Sequence, residues 1–80
     1  NQYYLCKAIF SNPNKRWEAD ELLEKFGEDP SKNSWRKVYD TMNLLNRKLA
    51  PLLHTKLVVL ESKTYRLNPD LIPQVKVSHN

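Results

Sequence analysis

Residues 35 to 50 read Trp35-Arg36-Lys37-Val38-Tyr39-Asp40-Thr41-Met42-Asn43-Leu44-Leu45-Asn46-Arg47-Lys48-Leu49-Ala50, and the fold of this 80-residue chain is decided by how that stretch is read. It contains no glycine or proline until Pro51, and Asn33 or Ser34 stands ready as an N-cap. At 100° per residue, Trp35, Met42, Leu45 and Leu49 all fall within about 60° of Val38, which makes one apolar stripe. The spacing therefore predicts a helix from Trp35 to about Ala50 with that stripe in the core. On the far side, about 140° to 200° from Val38, lie Asn43, Arg36, Arg47 and Asp40, flanked by Leu44, Lys37 and Lys48.

Two shorter helices are expected before it. Gln2 to Phe10 carries Tyr3, Leu5, Cys6, Ile9 and Phe10 largely at helical spacing, and Ser11-Asn12-Pro13-Asn14 stops it with turn residues. Lys15 to Trp17 leaves room only for a brief extended segment. Glu18 then opens a second helix, whose acidic first turn suits the positive end of the helix dipole. Its apolar residues are Ala19, Leu22, Leu23 and Phe26. Gly27, the sole glycine, sits where a left-handed C-terminal cap is wanted.

Downstream of Pro51, Lys56 to Leu67 reads as a hairpin. Leu57-Val58-Val59-Leu60 and Thr64-Tyr65-Arg66-Leu67 are rich in strand formers and are separated by polar Glu61-Ser62-Lys63. No Asn-Gly or Gly-Gly pair marks a tight turn, so a looser connection of about three residues is expected. The composite is an α+β fold, three helices with a C-terminal β-hairpin wing, which is the winged helix-turn-helix layout. The domain is expected to span residues 1–69, with 70–80 a tail or linker in which Val75 and Val77 alternate as a strand would. Trp17, Trp35, Tyr39 and Tyr65 lie on or beside apolar stripes and are assigned to the core. Cys6 is expected to be a small buried hydrophobe.

Charge is distributed unevenly. Residues 18 to 29 hold six acids and one base, a balance of −5, whereas residues 32 to 66 hold eight bases and two acids, a balance of +6. A concentrated basic block is the electrostatic footprint of a phosphate-rich partner, because each Lys or Arg near the backbone displaces condensed counterions. The outer face of the long helix has the chemistry to read a duplex. Arg makes bidentate bonds to guanine, Asn to adenine, Asp accepts from cytosine, and Lys holds phosphates. The plainer alternative is a solubilising surface in which Asp40 pairs with Arg36 four residues back.

These pieces resemble the C-terminal effector domain of OmpR/PhoB-type bacterial transcription regulators. Sequences of that family run NP, then S.EEL into helix two, then RxVDxxIxxLRxKL, and finally TVxGxGYRL. The corresponding residues here are Asn12-Pro13, Glu18 to Leu22, Arg36 to Leu49, and Leu57 to Leu67, so the likeness covers about residues 3 to 69. It implies DNA contacts from Arg36, Lys37, Asp40, Asn43, Leu44, Arg47 and Lys48. Asn46 stands where the family has the first Arg of LRxKL. Ser62 and Thr64 replace its wing glycines and Glu61 replaces a basic residue, which leaves Lys63 as the wing-tip phosphate contact and argues against wing insertion into a minor groove. A looser likeness is to winged-helix modules of larger bacterial regulators, including those with tetratricopeptide repeats, through Lys15-Arg16-Trp17-Glu18. The implied partners are double-stranded DNA and RNA polymerase or an adjoining receiver, sensor or repeat domain, with a possible dimer on DNA.

Other classes find little footing. His54 and His79 stand far apart with no cysteine or carboxylate at ligand spacing, so no metal is expected. A single glycine precludes a glycine-rich phosphate loop, and no catalytic constellation is present, so neither an enzyme nor a cofactor is expected. The longest apolar run is Leu57 to Leu60, which predicts no membrane span. Without a secretory leader and with one cysteine, the expected compartment is the cytoplasm. Two function classes stay open: sequence-specific duplex binding in transcriptional control, and a protein-interaction winged helix in which acidic helix two or an apolar patch docks onto another domain.

Overall fold

A computed structural model describes residues 1–71 of the chain. The chain runs α1 (Gln2–Ser11), β1 (Trp17–Glu18), α2 (Ala19–Lys25), α3 (Trp35–Leu53), β2 (Val58–Glu61) and β3 (Thr64–Leu67), and closes on a 3-10 turn, Pro69–Leu71. The three strands form one antiparallel sheet in the order β1-β3-β2. This is the expected α+β architecture, three helices and a β-hairpin, with the short Trp17–Glu18 segment recruited as the third strand. Of the expected tail, only Asp70 and Leu71 fall within the described residues; the Val75 and Val77 alternation lies outside them.

Local chemistry accounts for each boundary. At the start of α2, the Glu18 backbone N–H donates to Glu21 Oε1 at 2.9 Å, satisfying an orphan donor of the first turn. At its end, Gly27 adopts φ 79 and the Glu28 N–H reaches back to the Leu23 carbonyl, so the left-handed cap expected at the sole glycine is in place. The N-cap of α3 is Ser34, whose Oγ accepts from the Arg36 N–H. Pro51 does not end that helix as expected. It sits within the last turn, where a proline removes only one bond to a preceding carbonyl, and the chain continues to Leu53 before His54 caps it at φ 57.

One core joins the layers. Leu5, Ala8 and Ile9 of α1, Leu22, Leu23 and Phe26 at α2, Val38, Met42 and Leu45 of α3, and Trp17, Leu57, Val58, Tyr65 and Leu67 from the sheet bury one another. Leu49 and Cys6 are partly buried at its margin. Two aromatics assigned to the core are not there: Trp35 is 55% exposed and Tyr39 37%. Trp35 shares the angular sector of the stripe but occupies the first turn of α3, where it borders an open cavity with Ala19, Leu60 and Tyr65. The first-helix aromatics Tyr3 and Phe10 also face outward.

The wing turn departs from expectation too. Only Ser62 and Lys63 separate the strands, with φ 50 and 65, the pair of left-handed conformations that a two-residue type I′ connection requires. Thr64 Oγ1 donates to the Glu61 carbonyl at 2.7 Å and helps close it. The strand twist enforces this geometry even though neither residue is the Asn or Gly that adopts it cheaply.

Candidate nucleic-acid interface

Helix α3 is long enough to project beyond the core, and its outer face stays free. Arg36, Asp40, Leu44, Arg47 and Lys48 are exposed along it, and Lys63 is exposed at the wing tip. The other two residues of the sequence-derived set behave differently. Lys37 is half-buried and turned toward the loop before α3, its Nζ 2.6 Å from Glu28 Oε1 and 3.4 Å from Asn33 Oδ1. Asn43 is half-buried on the flank of α3 that faces β2. The set is thus split into an outer group centred on Arg36, Asp40, Arg47 and Lys48, and two half-buried residues at its margins, of which Lys37 is engaged by Glu28.

The ion pairs sort the cations. Lys15 pairs with Glu21 at 3.1 Å, Lys37 with Glu28, and both Arg16 and Arg66 with Glu61 at 3.2 and 3.6 Å. Among the described residues, Arg36, Arg47, Lys48, Lys56 and Lys63 enter no ion pair. Arg36 does not reach Asp40; its guanidinium lies 5.6 Å from the Trp35 ring centre, within cation–π range. The acidic segment is partly self-satisfied. The Glu18 backbone N–H and then Lys15 hold the Glu21 carboxyl below its ordinary range, and the Ser31 hydroxyl and backbone N–H do the same for Asp29.

The residue that sequence reasoning passed over is Asn46. Its Oδ1 accepts from the backbone N–H groups of Leu57 and Val58, and its Nδ2 donates to the Val58 carbonyl, each at 2.9 Å. One buried carboxamide therefore fastens α3 to the free side of β2. Its angle, about 80° from Val38, places it beside the apolar stripe, the one sequence signal that it faces inward. Asn68 performs a similar service, donating to the Lys56 carbonyl and accepting from the Asp70 N–H.

Beside the clamp, two open cavities flank Leu60. One, of about 510 Å³, is lined by Ala19, Trp35, Leu60, Lys63 and Tyr65. The other, of about 430 Å³, lies between Tyr39, Met42 and Asn43 of α3 and the strand β2. Burial of Tyr65 under the first raises its phenol above the usual tyrosine range.

Topology and element order define a winged-helix-like α+β domain with α3 in the position of the second helix-turn-helix helix. No protein-family model matches the chain, and comparison with curated proteins and with solved structures gives no significant match. Among the described residues, no helix is long and apolar enough to cross a membrane.

Proposed function

We propose that this domain binds double-stranded DNA, with α3 laid in the major groove and the Ser62-Lys63 turn against the adjacent backbone. The observation that carries the reading is the row of cations on one helix face: Arg36, Arg47 and Lys48 project from the outer face of α3 without an ion-pair partner among the described residues, whereas the exposed and unpaired Lys7, Lys25 and Lys32 are scattered over α1, α2 and the loop before α3, and Lys15, Arg16, Lys37 and Arg66 are paired with acids. An unpaired cation on a rigid helix is free to displace counterions from a phosphate, whereas a paired one must first give up its partner. Arg47 and Lys48 supply most of the electrostatic affinity, Arg36 and Asn43 reach base edges, Asp40 accepts from cytosine, and Lys63 holds a phosphate. Lys37, held by Glu28, contributes less than the sequence implies.

Such a role fits a bacterial transcription regulator of the OmpR/PhoB kind acting in the cytoplasm beside RNA polymerase or an adjoining receiver, sensor or repeat domain. The second reading, a protein-docking module, is favoured by one feature, the exposed apolar cleft at Trp35 and Leu60.

Fluorescence anisotropy on labelled duplexes tests the first reading. Binding should fall linearly in log-log form with salt, and Arg47→Ala with Lys48→Ala should reduce the slope by about two phosphate contacts. Asn43→Ala should relax sequence preference more than Lys63→Ala. Absence of any duplex binding at about 50 mM salt overturns the proposal.

A further inference from the structure

We propose that the cleft between α3 and β2 is a docking site for an extended acidic peptide carrying a large apolar side chain, which adds to the sheet at the backbone of Leu60. The observations behind this concern the strand edge, the apolar walls and the charged rim, and none depends on duplex binding.

Strand β2 is an outer strand of the sheet. Asn68 N–H donates to the Leu57 carbonyl, so Leu57 is a hydrogen-bonded position opposite Asn68, and the antiparallel alternation makes Val59 and Glu61 the next two. Val58 and Leu60 consequently direct their N–H and C=O groups away from β3, toward the free edge. Asn46 takes both groups of Val58. An exposed edge is a template for pairing, and here the carboxamide has closed it at Val58 and left it open at Leu60. The pair at Leu60 offers the donor and acceptor that an incoming peptide backbone would meet in extending the sheet.

The walls around that position are apolar and exposed. Leu60 is 40% exposed and Trp35 more than half exposed, with Ala19 and Tyr65 behind them, and the cavity they bound is large enough for an aromatic or leucine side chain. The rim is cationic. Lys63 and Arg36 stand at the Trp35 end and Lys56 at the other. Glu61, the one acid on the wall, is neutralised by Arg16 and Arg66. Acidic residues flanking an apolar anchor complement that arrangement, and basic ones are repelled by it. Arg36, Asn43 and Lys63 border both this cleft and the proposed duplex surface, but Arg47 and Lys48 lie about 18 Å farther along the α3 axis from Trp35, so variants at that helix end separate the two contacts.

The test uses the whole 80-residue chain and a fluorescein-labelled peptide of about ten residues in which Glu and Asp alternate with Leu and Trp. Three probes accompany it: the same peptide with Lys for each acid, the same with Ser for each apolar residue, and a single-stranded oligothymidylate of equal length. We expect saturable binding of the acidic apolar peptide, at least about tenfold tighter than any of the three. N-methylation of the backbone amide nearest the apolar anchor should cost about tenfold, because it removes the bond to Leu60. Trp35→Ala and Leu60→Glu should each weaken binding by about tenfold or more, and Lys63→Glu should narrow the preference for acids. Arg47→Ala and Lys48→Ala should leave it unchanged. Both Trp35 and Leu60 are exposed, so these variants keep the fold, which far-ultraviolet circular dichroism checks directly. Equal binding of the basic peptide, tighter binding of the oligothymidylate, indifference to Trp35→Ala, or no binding at millimolar peptide overturns the proposal.

Discussion

Asn43 and Asn46 are one helical turn apart, share a side chain, and do opposite things. Asn43 sits half-open at the flank of α3, whereas Asn46 is buried with three of its four hydrogen-bonding sites engaged by the backbone of Leu57 and Val58. Removing a partner from a buried polar group costs about 1–3 kcal/mol per group left unmade, which exceeds the net gain of forming the bond. Asn46→Ala strands two N–H groups and one carbonyl, and should destabilise the domain by about 2–4 kcal/mol, read as a lower urea midpoint at unchanged m. Asn43→Ala strands nothing comparable and should shift the midpoint by about 0.5 kcal/mol or less. An equal effect of the two changes would deny Asn46 its role as the fastener of α3 to the sheet.

At the scale of the element, the wing hairpin shows strand geometry overruling residue preference. Ser62 and Lys63 both occupy the left-handed region, which costs L-residues with a Cβ about 1 kcal/mol each, and the flanking pairs from Val58↔Leu67 to Glu61↔Thr64 sustain them. Ser62→Asn combined with Lys63→Gly should therefore stabilise the domain by about 1 kcal/mol, raising Tm by about 4–8 °C, while weakening any anion contact at the tip. A lowered Tm would mean that the turn does not hold the conformation described. The same hairpin marks the limit of what the sequence made legible. Its strands announce themselves through Leu57 to Leu60 and Thr64 to Leu67, but the turn lacks the Asn-Gly signature and reads as longer than it is. In α3 the stripe of Val38, Met42 and Leu45 is legible because it repeats with the helix period. Trp35 obeys the same period and is nevertheless exposed, because burial depends on which other elements reach the first turn, a tertiary fact that periodicity does not carry. The proposed contact set divides likewise: the outward position of Arg36, Arg47 and Lys48 followed from angle alone, whereas the engagement of Lys37 by Glu28 required the loop between α2 and α3 to be in place.

Across the whole molecule, the acid-rich segment 18–29 is tied to basic residues outside it by Lys15–Glu21 and Lys37–Glu28. Acid should loosen the first of these ties in a defined window. The Glu21 carboxyl, stabilised first by the Glu18 backbone N–H and then by Lys15, holds its proton less tightly in the folded chain than in the unfolded one, and Asp29 does the same through Ser31. Below the ordinary carboxylate range, about pH 4, the unfolded chain therefore binds more protons, and stability rises with pH there. The contribution is fully present above that range and is lost as pH falls through the lowered values. Glu21 is substantially solvated, so its share is a fraction of a kcal/mol. The phenol of Tyr65 bounds the other side. Burial raises it, so its contribution is present below about pH 10 and disappears as pH rises through the folded value, where the unfolded chain releases its proton first. Thermal melts from about pH 3 to 11 should show a plateau between two falling limbs. Glu21→Gln keeps an oxygen to accept from Glu18 but carries no charge for Lys15, so it should lower the plateau slightly and flatten the acid limb between about pH 5 and 3 without moving the alkaline one. An acid limb identical in the two proteins would mean that the carboxyl of Glu21 is not held by the contacts at the start of α2.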